Sequence, residues 1–597
     1  MHGLLKSMAQ SSSTNAFRRH VWPLFLRDRW LLLGALVLNG VHGVAIALQN
    51  VYPKWLFSKV LEPADLTMAQ RWIALAWLVG GYLAISLVVR MAAWHAGYRI
   101  FTWVRERVVF SLRGQFFRHV NHLCLRFHGE HPSGELFSYL FGTPLNNVMG
   151  FFQHTSMSVP GAIITVLTTL GMFWIWDWAI ASVLMITSFA NVALMLRARE
   201  KMQKISSDFQ TAEGDISGRV ADLLRGNKAV KLYAMEEQVA QDFDREALVI
   251  GKKSYERDVL SHIEYMKQEG FGYFCFSALL TACTWRYLGG RHVDLGTVAA
   301  CLASFAGLNW PIQVIFQAFS LWGNAEASIN RIGAVLDTPS TTPDPEGDVA
   351  TVPSSAEIVF DHVSFAYVPG QPVLSDLSLT IPRGQRVALV GPSGAGKSTL
   401  AQLLLRLYDP QSGAVRLGGI DLRKFDASDL RKEFGVVPQD PFIFRTTMRD
   451  NVRVARPDAN DDAIRRACEL ANAWEFIAKL PGGLDARVGE GGSSLSGGQR
   501  QRLSIARALL AEPECFIFDE ATSALDTLSE KLIQDALEKN LGGRTVIFIA
   551  HRLATVKNCD RLLVIADGKV AQDGTYDELV GQPGLFRELV HGQSLRE

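Results

Sequence analysis

The sequence has few cysteines, and their arrangement excludes two kinds of stabilising site. The 597 residues include seven cysteines, an odd number, and no two of them form a Cys-x-x-Cys pair. We therefore expect neither a disulfide framework nor a structural zinc site. The seven are Cys124, Cys275, Cys283, Cys301, Cys468, Cys515 and Cys559.

Net charge is also nearly absent from this sequence. The formal charge is +1, and no arginine-rich arm is present, so nothing predicts a general attraction to nucleic acid or acidic lipid. The N-terminal stretch MHGLLKSMAQSSSTN is too polar for a secretory signal. We expect the chain to enter the membrane through its own first helix.

Long apolar stretches are abundant, but only in the first half of the chain. A bilayer core of roughly 30 Å takes about 20 apolar helical residues, and six stretches before Asn324 fit this length. The fifth is the weakest, because it is short and ends at Arg286. The predicted spans are 31–51, 72–94, 159–176, 178–196, 271–288 and 295–322.

The composition changes once along the chain, which predicts two folded domains. After Pro353 charged and apolar residues alternate, as they do in water-soluble domains. We expect an α-helical six-span transmembrane domain at 29–337 after a cytoplasmic N-terminal segment at 1–28. A linker rich in Pro, Thr and Ser follows at 338–355, expected to be flexible, and an α/β domain at 356–597.

The positions of Lys and Arg predict the orientation in the membrane. They crowd the N-terminal tail and the stretches after the second and fourth spans, which places both chain ends in the cytoplasm. The inner segments 95–148 and 197–268 are too long for turns and are predicted to be helical. These segments either reach a soluble motor domain or are solvated amphipathic hairpins.

Polar residues within the spans are candidates for lining a transport cavity. Asn309, Gln313 and Gln317 are spaced i, i+4, i+8 and therefore share one helical face. The alternative is hydrogen bonding between helices for the amides, and snorkelling for Arg90 and Arg286. The candidate cavity residues are Asn39, His42, Asn309, Gln313 and Gln317.

The segment VALVGPSGAGKSTLAQLL at 387–404 has the strand–loop–helix context of a P-loop. Its glycines allow backbone N–H groups to close around phosphate oxygens, and the helix N-terminus adds a positive dipole end. Lys397 would reach the β and γ phosphates of a nucleotide, and the Ser398 hydroxyl would bind Mg²⁺. A P-loop alone does not separate transporters from kinases or GTPases. The predicted ATP-binding residues here are Gly391, Ser393, Gly394, Gly396, Lys397, Ser398 and Thr399.

A second sequence element helps to separate transporters from kinases and GTPases. The sequence LSGGQ at 495–499 precedes a helical pattern, and CFIFDE at 515–520 follows. The apolar tetrad reads as a buried strand that brings Asp519 to its end, where the carboxylate can hold Mg²⁺ through water. Glu520 can orient or deprotonate the attacking water. The alternative for this Asp–Glu pair is a solvated turn.

Together these motifs resemble those of ABC ATPases, and the domain order is similar to that of bacterial exporters related to the lipid A flippase and multidrug exporters. The resemblance is specific in the motor half and diffuse in the membrane half. It implies that Tyr367, in VSFAYVPG, stacks on adenine. It also implies that Gln439, in VVPQDPFIF, senses Mg²⁺ and touches the membrane domain, and that His551, in IFIAHR, contacts the γ-phosphate.

The same resemblance implies that some residues act in trans. The signature segment would face the γ-phosphate held by another subunit, and Asp526, in SALD, would cross to that subunit. Glu490, in VGEGG, matches the exporter-specific segment, although Gly491 and Gly492 stand where an arginine often occurs. The signature residues are Ser496, Gly497, Gly498 and Gln499.

One motor per chain implies a dimer. Because every catalytic position matches the active pattern, we prefer a homodimer, with a heterodimer containing a degenerate half as the alternative. The segments 127–136 and 230–243 look like the family's coupling regions.

The predicted function is ATP-driven export or flipping of an amphipathic substrate, a drug, lipid or peptide, across the inner membrane by alternating access. The cofactors are ATP and Mg²⁺, and the catalytic residues are Glu520, Gln439 and His551. Three alternatives remain: an importer of siderophore-like cargo with the same fold, a gated channel, and a non-transporting ABC protein. The six predicted spans argue against the last of these.

Overall fold

The computed structural model describes residues 16–289, 293–345, 349–353, 356–489, 492, 494–520, 542–550 and 556–594. The chain divides into two compact units. One combines Met1–Val120 with Gly134–Asp337, and the other combines Asn121–Ser133 with Thr338–Glu597.

The described part of the first unit is built from helices, several of which are far longer than a bilayer is thick. Three stretches have π-helical geometry: Phe17–Val21, Phe57–Leu61 and Ala84–Arg90. The α-helices up to the end of this unit, with α5 assigned to the second unit, are α1 Trp22–Arg27, α2 Arg29–Leu56, α3 Met68–Leu83, α4 Met91–His122, α5 Leu125–Glu130, α6 Ser133–Phe141, α7 Thr143–Trp176, α8 Trp178–Arg225, α9 Asn227–Leu232, α10 Glu236–Leu288 and α11 Leu295–Leu336.

Among the described residues, five helical stretches are long and apolar enough to cross a membrane. The predicted fifth span, 271–288, lies within α10 but is not one of the five. Polar side chains such as Arg286 lower the apolar character of this segment. The five stretches are Arg29–Leu61, Met68–His122, Ser133–Trp176, Trp178–Ala198 and Leu295–Ile315.

Asp177 separates α7 from α8 and also binds Arg286 of α10. Its Oδ1 accepts hydrogen bonds from the backbone N–H groups of Ala179 and Ile180 at 2.9 and 3.1 Å, which caps α8. Its Oδ2 accepts from Nε of Arg286 at 2.9 Å. The two side chains are only 4% and 10% exposed. Arg286 is therefore ion-paired inside the helical unit, which corrects the snorkelling alternative.

Helix α2 packs closely on α7 and α11 through glycines. A Cβ atom added to Gly43 would lie 2.4 Å from the carbonyl oxygen of Gly161, and one added to Gly307 would lie 2.5 Å from the side chain of Asn50. Small residues of this kind allow two helix backbones to approach each other. At Gly43 and Gly307 there is no room for a larger side chain, so these glycines allow α2 to pack directly on α7 and α11.

The second unit contains two sheets joined by a common core. An antiparallel sheet has the order β2-β1-β4-β5, and a six-stranded sheet has the order β10-β9-β3-β8-β7-β6. The strands are β1 Ile358–Phe365, β2 Leu374–Ile381, β3 Arg386–Val390, β4 Ser412–Leu417, β5 Ile420–Asp421, β6 Phe434–Val437, β7 Cys515–Asp519, β8 Thr545–Ile549, β9 Arg561–Ala566 and β10 Lys569–Gly574.

Helices cover the larger sheet and form a second hydrophobic core with β6, β7 and β8. Short 3₁₀ turns occur at Leu422–Lys424 and Gly483–Asp485. The α-helices are α12 Lys397–Leu404, α13 Ala427–Lys432, α14 Met448–Arg453, α15 Asp461–Leu470, α16 Trp474–Ile477, α17 Gly497–Leu510, α18 Tyr576–Gly581 and α19 Leu585–Ser594.

Strands β9, β3, β8, β7 and β6 run parallel, and only β10 is antiparallel to its neighbour. Their buried residues form near-continuous apolar runs, as expected for strands covered on both faces. The carboxyl ends of parallel strands meet at one edge of the sheet, which is where open α/β sheets bind ligands. This edge carries the residues that follow β3, β6, β7 and β8.

The described part of the predicted linker is fastened to the second unit and is not a free tether. The carbonyl of Pro343 accepts a hydrogen bond of 2.5 Å from Arg406, whose residue is 2% exposed. The backbone N–H of Ala350 donates to the carbonyl of Lys424 at 3.0 Å. In the same unit, Thr341 is hydrogen-bonded to Cys124, just before α5. The proline- and threonine-rich composition gave no indication of these contacts.

We predict that Asp177→Asn destabilises the folded protein by on the order of 3–5 kcal/mol, because Arg286 would be left buried without a counter-charge. Asparagine can still cap α8, so the loss would report the missing charge. The measurement is thermal unfolding of the full chain in detergent.

Two further variants complete this test. Asp177→Asn combined with Arg286→Gln should recover part of the loss, because no charge remains buried. Arg245→Gln, in an exposed pair with Asp242, should change stability by less than about 1 kcal/mol. Equal effects of Asp177→Asn and Arg245→Gln would contradict the prediction.

Candidate nucleotide-binding site

The loop between β3 and α12 has a backbone that only glycine adopts without strain. Gly391, Gly394 and Gly396 have φ values of +147°, +82° and +101°. A Cβ atom on Gly391 would lie 2.1 Å from the carbonyl oxygen of Ile565 on the neighbouring strand β9. The glycines of the predicted P-loop are thus required by the loop itself as well as by a bound phosphate.

Lys397, the first residue of α12, folds back over this loop. Its ammonium donates to the carbonyl oxygens of Gly391 and Pro392, both at 2.8 Å. Burial lowers the pKa of Lys397, and the carboxylates of Glu520 and Asp519 oppose that shift. The loop therefore holds one buried cation that faces two carboxylates, with the Ser393 and Thr399 positions on either side of it in the chain.

Ser398 and Asp519 come together from different elements. The Ser398 hydroxyl on α12 donates to Oδ1 of Asp519, the last residue of β7, at 3.3 Å. A hydroxyl and a carboxylate at this separation are the oxygen ligands that Mg²⁺ prefers, together with water and phosphate. The donor set fits that ion.

Glu520 and Gln439 form a second pair beside the first. Nε2 of Gln439, in the loop after β6, donates to Oε2 of Glu520 at 2.9 Å. Glu520 has a φ of +49°, and its backbone N–H donates to the carbonyl of Ile549 at 3.0 Å. Left-handed backbone at a residue other than glycine costs of order 1–3 kcal/mol and clusters at functional sites. The orientation of the Glu520 side chain at the end of β7 therefore depends on a strained backbone.

Tyr367 lies against α12. Its hydroxyl donates to Oε1 of Gln402 at 2.6 Å and lies 3.1 Å from Oγ1 of Thr399. Its ring meets the rings of Phe365 and Tyr408 edge-on, at centroid distances of 4.9 and 5.2 Å. The ring is thus held beside the P-loop helix by its own hydroxyl and by two neighbouring rings. Gln402 and Tyr408 were not recognised in the sequence, since no motif marks them.

Ser496 begins α17. Its hydroxyl accepts from the backbone N–H of Gln499 at 3.2 Å, and the Gln499 side chain accepts from the Ser496 N–H at 2.9 Å, which forms a capping box. Ser496 is exposed, and Gly497 and Gly498 are half-buried. The signature segment is thus an accessible helix N-terminus. Three predicted site residues, Glu490, Asp526 and His551, lie outside the described residues.

Comparisons with known proteins agree with this geometry. A family described as ABC transporter matches residues 374–523, and one described as ABC transporter transmembrane region matches 32–312. An ATP-dependent lipid A-core flippase of Chromobacterium violaceum is 33% identical over 96% of this chain and 97% of its own length. The chain belongs to the ABC transporter family. It is a half-transporter of the exporter type, an ATPase that drives transport.

Two further relatives extend over nearly the whole half-transporter. The uncharacterized ABC transporter ATP-binding protein YfiC of Bacillus subtilis is 29% identical over 98% of this chain and 96% of its own length. The solved structure of a bacterial Atm1-family ABC exporter with ATP bound has a TM-score of 0.84 at 26% identity, covering 95% of this chain and 98% of that one. Both units therefore have the fold of an ABC exporter.

The predicted cavity residues fall into two groups that differ in burial. Asn39 is 1% exposed and donates to the carbonyl oxygens of Ala35 at 3.2 Å and Ser156 at 3.5 Å. His42 is 7% exposed, and its ring centroid lies 4.7 Å from that of Trp94. Both residues lie in contacts between helices, and for Asn39 this is the alternative given for the amides.

The residues of α11 behave differently. Gln313 and Gln317 are exposed, and the Gln317 side chain is hydrogen-bonded to His154 on α7. The side chain of Asn309 lies outside the described part of the structure. His154 was not selected from the sequence, because it lies before the predicted third span and only the packing of α7 on α11 brings it to Gln317.

A second polar cluster lies within the membrane unit, and the sequence did not predict that its members meet. Gln49 on α2 accepts a hydrogen bond of 2.7 Å from Arg90 and donates to the Ser86 hydroxyl. His42 Nδ1 lies 3.3 Å from the carbonyl oxygen of Arg90. Ser86 and Arg90 belong to the π-helical stretch Ala84–Arg90, and such stretches often occur at functional sites.

We predict that Gly391→Ala and Gly394→Ala differ sharply in stability. Gly391→Ala should cost about 4 kcal/mol or more, because its methyl group meets the Ile565 carbonyl. Gly394→Ala should cost about 1–2 kcal/mol, because no atom lies within 4 Å of its Cβ position and only the left-handed backbone is strained. Thermal unfolding without nucleotide measures both, and equal losses would show that the contact with Ile565 does not matter.

Proposed function

We propose that this half-transporter exports or flips an amphipathic molecule across the bacterial inner membrane by alternating access, with both chain ends in the cytoplasm. The observation that supports the motor most strongly is the pairing of Ser398 with Asp519 and of Gln439 with Glu520 at one edge of the sheet. A ligand rich in phosphate would meet the buried Lys397 ammonium and the oxygen ligands together at this edge.

The residues divide the work of ATP hydrolysis. Lys397 and the loop glycines hold the phosphates, and Tyr367 supports the adenine. Ser398, Gln439 and Asp519 would hold Mg²⁺, and the ion would offset charge on the phosphate oxygens. Glu520 orients or deprotonates the attacking water, and Gln439 and His551 assist at the γ-phosphate.

The signature segment supports a dimer, and the match of every catalytic position to the active pattern favours two identical chains. Ser496 caps α17 at an exposed helix N-terminus, and its Gly497 and Gly498 N–H groups suit an anion. In the proposed dimer this terminus closes over the γ-phosphate of the other copy, and Asp526 crosses the same boundary. A heterodimer with a degenerate half is the alternative. It would show as a chain that hydrolyses no ATP when purified alone.

The membrane unit supports an amphipathic cargo. Arg90 with Gln49, and His154 with Gln317, place polar side chains among long apolar helices. Exposed Gln313 offers a further amide on the α11 face. A wholly apolar cargo would not need these groups. Relatives named as lipid A-core flippases favour a lipid with a polar head group over a small drug or a peptide.

Coupling between hydrolysis and transport is proposed to run through segments that leave the membrane helices. Asn121–Ser133, with α5, belongs to the motor unit although it lies between membrane helices in sequence. Cys124 in this segment is hydrogen-bonded to Thr341. A segment held in this way would move with the motor when ATP binds. The segment 230–243 is proposed to be a second coupling region.

We predict that Glu520→Gln binds ATP with ordinary affinity but hydrolyses it about 10²–10⁴ times more slowly, because the amide cannot accept a proton from water. Nucleotide affinity by fluorescence and phosphate release by a coupled assay measure the two effects separately. Glu469→Gln, in an exposed pair with Arg465, should leave both unchanged. Near-normal hydrolysis by Glu520→Gln would remove Glu520 from its proposed role.

We predict that amphipathic lipids with a polar head group stimulate ATP hydrolysis by the chain reconstituted in liposomes. Gln317→Leu should weaken the stimulation and leave the basal rate unchanged, because Gln317 lies in the membrane unit. Transport assays in vesicles of both orientations decide between export and the importer alternative. ATP-independent current across the bilayer would favour a gated channel instead.

A further inference from the structure

Two cysteines that play no part in the motor lie in contact within the membrane unit. Cys283 on α10 and Cys301 on α11 are both 0% exposed, and their thiols are hydrogen-bonded to each other. They share one hydrophobic core with Leu279 and Ala300. All seven cysteines of the chain are reduced in the structure, and the sequence offered no spacing motif that would have paired these two.

The thiol pair lies near the ends of its helices. Cys283 is five residues before the end of α10, and Cys301 is six residues after the start of α11. At 1.5 Å per residue, both are about 8–9 Å from the helix ends. Arg286, one turn beyond Cys283, is fixed by the buried carboxylate of Asp177. Two buried contacts therefore hold the same end of α10.

The buried character of these contacts predicts that α10 and α11 stay together here during transport. Separating them would expose the two thiols and the surrounding apolar side chains. The contact of α2 with α11 at the same end is more open to water: Lys54 donates to the Thr297 hydroxyl at 2.7 Å, and its side chain is 20% exposed. Water can replace such a contact at lower cost.

We propose that Cys283 and Cys301 are a redox-active dithiol, a modification site at which dioxygen dissolved in the bilayer forms an intramolecular disulfide that fastens α10 to α11. The bond needs little movement, because the thiols already touch. That this end of the helices faces the oxidising exterior rests on the orientation given under the proposed function. The formation of the bond does not.

The reaction is a two-electron oxidation. Both S–H bonds break and one S–S bond forms, and the two protons and two electrons pass to dioxygen, giving hydrogen peroxide. Water-soluble oxidants would react slowly, because neither thiol is exposed. A lipid-soluble copper–phenanthroline complex, which catalyses oxidation by air, reaches this depth and is the probe for the test.

The test counts free thiols in the full chain reconstituted in liposomes. After treatment with air and copper–phenanthroline, the protein is denatured and labelled with a maleimide polymer, so that each free thiol adds a step on a gel. We expect oxidised protein to carry two fewer labels than reduced protein and to run as a monomer without reductant. Cys275→Ser, on the same helix but outside the pair, should still lose two.

Cys283→Ser and Cys301→Ser are the deciding variants. Each should carry the same number of labels before and after oxidation, because the remaining thiol has no partner. An unchanged label count in the native chain would overturn the proposal. Loss of two labels in either variant, or a disulfide between two copies, would also overturn it.

Turnover tests whether the fastened contact is compatible with transport. We expect oxidised protein to hydrolyse ATP at the rate of reduced protein. A loss that a reductant restores would show that α10 and α11 separate here in each cycle. The label count does not depend on ATP hydrolysis or on the cargo. The thiol count can therefore be interpreted even if the proposed function is wrong.

Discussion

The motor depends on holding charge at one edge of a parallel sheet. Four strands end there, and the residues at and after their ends supply a buried ammonium, a hydroxyl and two carboxylates, with the ammonium in electrostatic interaction with both carboxylates. Lys397 folds onto its own loop, Ser398 meets Asp519, and Gln439 meets Glu520. In the proposed function, a nucleotide would exchange these internal contacts for contacts with its phosphates. The left-handed backbone of Glu520 is the local cost of aiming that carboxylate.

The membrane unit solves the opposite problem, since charge there has no water to stabilise it. Arg286 is neutralised by Asp177, a residue that also caps α8. Arg90 instead is held by an amide, Gln49, and by its place in a π-helical stretch. The first arrangement is closed and structural. The second leaves a cation within the membrane unit whose described hydrogen-bond partner is a neutral amide.

Much of the fold could be predicted from hydrophobic periodicity and motif spacing. The P-loop glycines, the strand that ends at Asp519 and the hairpin at Asp177 are local features, because each depends on the conformation of a few consecutive residues. The long helices followed from apolar stretches and from inner segments too long to be turns. The fifth span was harder to recognise, since Arg286 reads as a terminating charge until its partner is known. The linker appeared flexible in composition, yet Arg406 and Lys424 fix its backbone.

By itself the sequence determined the chemistry of the motor, because phosphate binding requires fixed residue types at fixed spacings along a strand, a loop and a helix. It also determined where the chain enters the membrane, because span length is a property of consecutive residues. Only the tertiary structure decided which polar side chains meet: Asn39 and His42 in helix contacts, Gln317 with His154, and Cys283 with Cys301. Those contacts depend on the rotation and packing of helices that are distant in sequence, and a single sequence does not specify this packing.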